Sequence, residues 1–317
     1  RPLSGAGRIV TAKDGKLETK LVNVDRDLAV IPSVAIHMNR AANEGFKFMA
    51  NIDTLPLYGM QESSGSFRSV VAAAAGVQED EILGEDLSLY VRTRGTVFGA
   101  KDEFVLAPRL DDLGCVFGLL EGFLAAAPSG SVPVFCAFDN EEVGSQTLQG
   151  AGGDFLENVL RRIAYALKFD DNEYYKALAA SFLISLDNAH AMHPNHPEKC
   201  DPTNRTAMGG GVVIKNHANK AYTTDALSSA VIKTVFDKAG VRYQTFFNRS
   251  DMRSGGTLGA ISLGHAGILS ADLGLAQLAM HSASECFAKS DYNELVNGLT
   301  AYYSSDILFT DNGIEVK

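Results

Sequence analysis

Two adjacent carboxylates, Glu141 and Glu142, follow directly after the apolar run VPVFCAF at residues 132–138. Such a run predicts a buried parallel strand, and ligands of open α/β sheets collect at the carboxyl ends of such strands. Adjacent residues that leave a strand point in roughly opposite directions, so one carboxylate can hold a metal while the other accepts a proton. A solvated acidic turn is the alternative, and it is the more common one for an isolated Glu-Glu pair.

Three further segments place a possible metal ligand at the same edge of the predicted sheet. Asp111 starts a predicted helix, Asp187 ends a predicted strand, and His281 follows another strand. Taken singly, Asp111 could be a helix N-cap, Asp187 a loop cap and His281 a core or surface residue. Together with Glu142 they supply hard carboxylates and an imidazole, which suit a pair of Zn, Mn or Co ions, and Glu141 remains as a base.

This set of residues predicts metal-assisted hydrolysis. Two metals about 3.5 to 4 Å apart can share one carboxylate and one water, which lowers the pKa of the water and polarises a carbonyl. We expect Asp111 to be the shared carboxylate, because a residue at the start of a helix on the sheet edge can face both metals. Glu141 would take the proton from the water.

The segment HAMHPNH offers a different metal site, with His190, His193 and His196 spaced three residues apart. Two nearby prolines would break a helix that aligned them, so we interpret these histidines as groups that orient Asp187.

Two segments offer groups for binding a substrate. Gly255 and Gly256 could form a backbone N–H cradle for a substrate carbonyl, and a plain tight turn is the equal alternative. Lys215 lies on a predicted strand and is either solvated or faces an acidic ligand.

Composition excludes several classes of function. The net charge of −10 and the lack of a basic stripe argue against nucleic-acid binding. The apolar stretches fall short of the roughly 20 residues that span a bilayer, so we expect a soluble protein without membrane contact. Four cysteines lie far apart with no CxxC pair and no signal peptide, which predicts free thiols and a cytoplasmic location.

Hydrophobic periodicity predicts two domains. Residues 1–98 contain short alternating runs and lack long helical periods, which predicts a β-rich domain. Residues 99–317 alternate helical patterns with short buried strands, which predicts an α/β domain. The predicted helices cover 111–127, 154–168, 172–178, 223–240 and 291–304, and the predicted strands cover 132–138, 181–187, 242–247 and 266–272.

Eight segments, in order, resemble the aspartyl aminopeptidase family of co-catalytic metallopeptidases. They are RPLSGAGR, IPSVAIHMNR, LAPRLDD, FDNEEVGS, DNAHAMHPN, VVIKNHANK, SGGTLG and LGLAQLAMHS, and they extend over nearly the whole chain. Several are weak alone, but their order and spacing are specific. The resemblance implies an α/β/α zinc-peptidase domain with a β-rich oligomerisation domain, and a homo-oligomer that is a tetrahedral dodecamer.

The resemblance also implies residue roles in hydrolysis of the N-terminal residue of peptides. Asp111 becomes the bridging ligand and Glu141 the general base, and the other ligands are Glu142, Asp187 and His281. Two substrate-binding roles are implied as well: His37 reaches a neighbouring subunit's active site, and Lys215 recognises an acidic first side chain.

One family motif lies outside residues 1–317. The family has a His-x-Asp metal motif on a strand before the RPLSGAGR segment, so we expect an N-terminal part upstream of Arg1 that completes the second of two zinc sites. Two alternatives to an acid-preferring aminopeptidase stay open. One is a related tetrahedral aminopeptidase of neutral or broad preference, and the other is a truncated, non-catalytic assembly module.

Overall fold

The computed structural model describes residues 1–61, 65–252 and 255–317. They form two compact units, Arg1–Arg94 and Gly95–Lys317. The division lies four residues before the boundary expected from the sequence. The α/β architecture expected from the sequence is confirmed.

The first unit is built on a small antiparallel sheet. Its strands are β1 (Leu3–Lys13), β2 (Lys16–Asn23) and β3 (Ile82–Val91), with β1 in the centre. Two helices, α1 (Ala50–Asp53) and α2 (Phe67–Ala75), lie between β2 and β3 in the chain. Val71 and Ala72 of α2 are buried with side chains of the sheet, so this β-rich unit has a helix in its core.

The second unit alternates strands with helices. Its helices are α3 (Leu110–Ala125), α4 (Phe155–Ala166), α5 (Asp171–Ala179), α6 (Ala226–Ala239), α7 (Leu258–Ala266) and α8 (Lys289–Ser304). Its strands are β4 (Thr96–Phe98), β5 (Phe104–Ala107), β6 (Phe182–Leu186), β7 (Ala189–His190), β8 (Val212–Asn216), β9 (Tyr243–Phe247), β10 (Leu269–Gly274), β11 (Ala276–Leu278), β12 (Glu285–Ala288), β13 (Ile307–Thr310) and β14 (Gly313–Val316).

Two of its sheets position the residues expected to do chemistry. One has the order β6-β10-β8-β9, in which β10 runs parallel to β6 and antiparallel to β8. The other has the order β4-β5-β12-β11-β7. Only Leu275 separates β10 from β11, so the chain passes directly from one sheet into the other.

Apolar residues from three helices and the first of these sheets form the main core. Phe236 of α6 and Leu295 and Leu299 of α8 are completely buried there with strand residues such as Leu273. A Cβ at Gly122 of α3 would lie 2.6 Å from the Cβ of Leu299, so glycine permits the close approach of α3 to α8. This packing, together with the buried Leu110 and Cys115, positions the helix whose first turn carries Asp111.

The expected strand at residues 132–138 is wrong: these residues form no strand with any other part of the chain that the structure describes. An apolar pattern favours a strand, but a strand also needs a neighbour that pairs with its backbone N–H and C=O groups. A cavity of about 540 Å³ lies here, and its lining includes residues 131–138, residues of β6, and Asp112, Glu141 and Glu142.

No helix in the described parts of the chain is long and apolar enough to cross a membrane.

Candidate metal centre

Asp111 and Asp112 lie in a distorted first turn of α3. Their backbone angles are not helical, and Arg109 before them has a left-handed φ of 60°. The backbone N–H of Asp111, which has no acceptor within the helix, donates to Oε2 of Glu285 at 2.9 Å. The Asp111 side chain is 4% exposed, so its carboxylate lies inside the domain.

Glu141 and Glu142 lie on a single 3₁₀ turn, Glu141–Val143. Asn140 begins this turn with a left-handed φ of 60°, and its carbonyl accepts the Ser145 N–H at 2.8 Å. The Asn140 side chain also donates to Thr147 Oγ1 at 3.0 Å. These bonds hold the turn that presents both glutamates.

Asp187 follows β6 directly, as the sequence predicted, and its N–H donates to the Leu273 carbonyl at 3.0 Å. Lys215 on β8 is 1% exposed and donates from Nζ to three oxygens, namely Asp187 O at 2.9 Å, Asp187 Oδ2 at 3.3 Å and Asn188 O at 3.3 Å. Its Nζ also lies 5.0 Å from the centre of the Tyr222 ring. Burial lowers the pKa of Lys215, but the carboxylates of Asp187 and Asp272 outweigh it, so the net pKa is raised and the ammonium stays charged.

His281 lies on a turn after β11, with a left-handed φ of 64°. Its N–H donates to Oε1 of Glu285 at 2.6 Å. Its Nε2 lies 3.2 Å from Oδ2 of Asp111 and 3.1 Å from Oε2 of Glu142. The structure thus brings together three residues that are 31 or more positions apart in the sequence.

Two groups of possible metal ligands share Asp111. The first contains Asp111, Glu142 and His281, and the second contains Asp111, Asp112 and Asp187; within each group the donor atoms lie within 4.8 Å of one another. The first group combines carboxylates with an imidazole, which suits zinc, manganese or cobalt, whereas the second group offers carboxylates alone.

The electrostatics of these groups fit a bound cation. Burial, together with the carboxylates of Asp187 and Glu142, raises the pKa of Asp111 to about 8. Burial also raises the pKa of Asp112 well above its ordinary value. Oδ1 of Asp111 and Oδ1 of Asp112 are buried without a hydrogen-bond partner among the described residues. Buried oxygens without partners are costly, and a divalent cation would both coordinate them and offset the repulsion between the carboxylates.

Glu141 belongs to neither group formed by the described residues. Burial, followed by the charges of Asp187 and Glu142, raises the pKa of Glu141. A carboxylate near metal ligands, with a raised pKa and no ligand role, has the properties of a general base.

Sequence reasoning missed Asp112 and Glu285. The Asp-Asp doublet was a signal for Asp112, but the pattern could not show that both side chains turn toward Asp187. Glu285 had no such signal, because its partners are backbone N–H groups, one of them 174 positions away.

None of the four predicted substrate-binding residues belongs to either group of possible metal ligands among the described residues. His37 is exposed in the first unit, and Gly255 and Gly256 lie before α7, where an added Cβ would meet no described atom within 4 Å. Lys215 contacts Asp187 alone among the predicted ligands. Of the alternative histidines, His190 lies on β7, and none of the three joins a metal-binding group within residues 1–61, 65–252 and 255–317.

Comparisons with known proteins show the family to which the chain belongs. The family model described as aminopeptidase I zinc metalloprotease (M18) matches residues 1–303. A probable M18 family aminopeptidase 2 from Clostridium novyi is 44% identical over 298 residues, which are 92% of this chain and 69% of that protein.

Solved structures give the same result. The structure of the Ape4 and Nbr1 complex matches with a TM-score of 0.88 and 30% identity over 96% of this chain and 63% of that one. The S. cerevisiae mApe1 dodecamer matches with a TM-score of 0.77 and 26% identity over 96% of this chain and 69% of that one. The chain thus spans about two thirds of the length of these proteins, and it belongs to the M18 family of zinc metallopeptidases, whose named relatives are aminopeptidases.

Proposed function

We propose that this chain carries the metal centre of an aminopeptidase that removes the N-terminal residue of peptides. The observation that carries the proposal is the sharing of Asp111 by two groups of ligands whose donor atoms lie within 4.8 Å. Two neighbouring cation sites with one common carboxylate suit hydrolysis of an amide bond.

The ligands would divide between two zinc ions, or manganese or cobalt in their place. Asp111, Glu142 and His281 would hold one ion, and Asp111, Asp112 and Asp187 would hold the other. Bound metal supplies a Lewis acid for the peptide carbonyl and lowers the pKa of the attacking water.

Glu141 is the general base in this proposal. Its raised pKa brings the carboxylate closer to the range in which it can accept a proton and later return it to the leaving amine. The backbone N–H groups of Gly255 and Gly256 would bind a substrate carbonyl, and their lack of side chains leaves room for that approach.

The charge on Lys215 supports a preference for acidic N-terminal residues, as in aspartyl aminopeptidases. Its ammonium lies beside the proposed ligand Asp187 and is already bonded to three oxygens. Because Lys215 is 1% exposed, recognition of an acidic side chain would require it to give up one of the two 3.3 Å contacts. A broad-specificity aminopeptidase is the alternative if Lys215 serves only to hold Asp187.

We further propose a homo-oligomer, with the first unit as its oligomerisation domain and His37 reaching the site of a partner subunit. The named dodecamer among the structural neighbours supports a dodecamer here. Exposed apolar side chains such as Val34, Ile36 and Met38 surround His37 in the sequence and suit a protein interface. A non-catalytic assembly module would keep this surface but would not hold stoichiometric metal.

Replacement of Glu141 tests the proposed mechanism. Glu141→Gln should lower peptide hydrolysis by at least about 100-fold and leave the metal content unchanged, because a base is lost but no ligand is. Glu121→Gln is the matched control, since Glu121 lies on α3 and accepts a hydrogen bond from Tyr292. Activity of Glu141→Gln within tenfold of wild type would refute its role as base.

A further inference from the structure

Glu285 is a buried carboxylate that contacts two proposed metal ligands without belonging to either ligand group. It is the first residue of β12 and is 2% exposed. Its Oε2 accepts the backbone N–H of Asp111 at 2.9 Å, and its Oε1 accepts the backbone N–H of His281 at 2.6 Å. Neither described ligand group includes Glu285.

Both ligands lie where regular secondary structure does not hold the backbone. Asp111 has a φ of −85° and a ψ of 113° inside the first turn of α3, which is not a helical conformation. His281 has a φ of 64°, which a residue with a side chain rarely adopts unless its surroundings impose it. Each backbone N–H therefore depends on a side chain as its acceptor.

Glu285 is itself held rigidly. It pairs in the sheet with Ala107 of β5, on the strand that leads into α3. A fixed carboxylate with one oxygen for each N–H sets the distance between two segments that are 170 positions apart. This arrangement keeps His281 Nε2 within 3.2 Å of Asp111 Oδ2.

We propose that Glu285 is a positioning residue that holds Asp111 and His281 in the geometry needed for metal binding, an inference that rests on the proposed function. Outer groups that orient metal ligands typically contribute about 10- to 100-fold to metal affinity. Hydrogen bonds from an N–H to a carboxylate are also stronger than those between neutral groups.

Glu285→Gln tests this role with little change in shape. The new amide keeps one acceptor oxygen and turns an NH₂ group toward one of the two N–H donors. We expect the zinc Kd, measured by competition with a chelating dye, to rise about 10- to 100-fold. The visible absorption spectrum of the cobalt-substituted protein should also change, because it reports the ligand geometry. Glu121→Gln, which makes the same substitution away from the site, should change neither.

The following outcomes decide whether Glu285 positions the ligands. Unchanged zinc affinity and an unchanged cobalt spectrum in folded Glu285→Gln would overturn the positioning role. Failure of the wild-type protein to bind zinc would instead refute the proposed function. If Glu285→Gln does not fold, Glu285→Asp keeps both oxygens but is one methylene too short to reach both N–H groups. Weakened zinc binding with normal circular dichroism in Glu285→Asp supports the role, and normal zinc binding overturns it.

Discussion

Replacing Asp111 with asparagine should stabilise the metal-free protein at alkaline pH while removing its ability to hold metal. Burial and the neighbouring carboxylates of Asp187 and Glu142 raise the pKa of Asp111 from 3.8 to about 8. The folded state therefore binds this proton more tightly than the unfolded chain does. The resulting stabilisation is complete below about pH 4 and is lost as the pH rises through 8.

The magnitude follows from this difference in pKa. From pH 6 to about pH 8, Asp111 keeps its proton in the folded protein, whereas the unfolded chain has already lost it. Over these two pH units the free energy of unfolding falls by 1.36 kcal/mol per unit, or about 3 kcal/mol, and above pH 8 it no longer falls for this reason. The asparagine side chain of Asp111→Asn does not ionise in this pH range, so this loss of stability is absent from the variant. Urea unfolding with a chelator present should therefore show that wild type loses about 3 kcal/mol more than Asp111→Asn between these pH values.

A control and a refuting result complete the test. Asp311→Asn makes the same substitution in an exposed turn and should follow the wild-type pH dependence. If Asp111→Asn loses as much stability as wild type between pH 6 and pH 9, the carboxylate cluster does not raise the pKa of Asp111. Full metal content in Asp111→Asn would show that Asp111 is not a metal ligand.

Three further changes test the remaining roles. His281→Ala should lower both metal occupancy and turnover, and full metal by elemental analysis would contradict its role as a ligand. Lys215→Met should reduce turnover of substrates with N-terminal Asp or Glu more than that of Leu substrates, whereas equal losses would favour a role only in holding Asp187. Mixing His37→Ala subunits with Glu141→Gln subunits, after dissociation and reassembly, should restore activity, because some sites then combine an intact Glu141 with a partner's intact His37. Mixed oligomers without restored activity would make His37 a packing residue.

Helices were the elements that the sequence predicted best. The pattern over residues 223–240 corresponds to α6, which begins after an Asp225 cap that accepts the Ser228 N–H and ends at Gly240 in the left-handed conformation. These signals are local, so the sequence contains them. Residues 132–138 have an equally clear strand pattern, but forming a strand depends on a partner elsewhere, which no local pattern can specify.

The positions of the ligands could be predicted because they follow from local strand patterns. The residues that support the ligands could not be predicted, because their contacts join distant segments. Asp187 lies just after β6, where a strand pattern places it at the sheet edge. The sequence could not decide whether Lys215 is solvated or faces an acidic ligand. Its burial beside Asp187 depends on how β8 packs in the sheet. Glu285 acts through backbone N–H groups of distant segments, and residue types alone do not record such contacts.

Backbone strain connects these features of the metal centre. Arg109, Asn140 and His281 all have left-handed φ values near 60°, and each lies within two residues of a proposed ligand or is one itself. Such conformations cost about 1 kcal/mol or more per residue and persist only where surrounding contacts impose them. The contacts here are the Asn140 hydrogen bonds and the Glu285 carboxylate. Glycine would adopt these angles without strain, so the side chains at these positions indicate that the turns serve the site. A His281→Gly variant should therefore lose metal binding, while the metal-free variant should be as stable as the metal-free wild type.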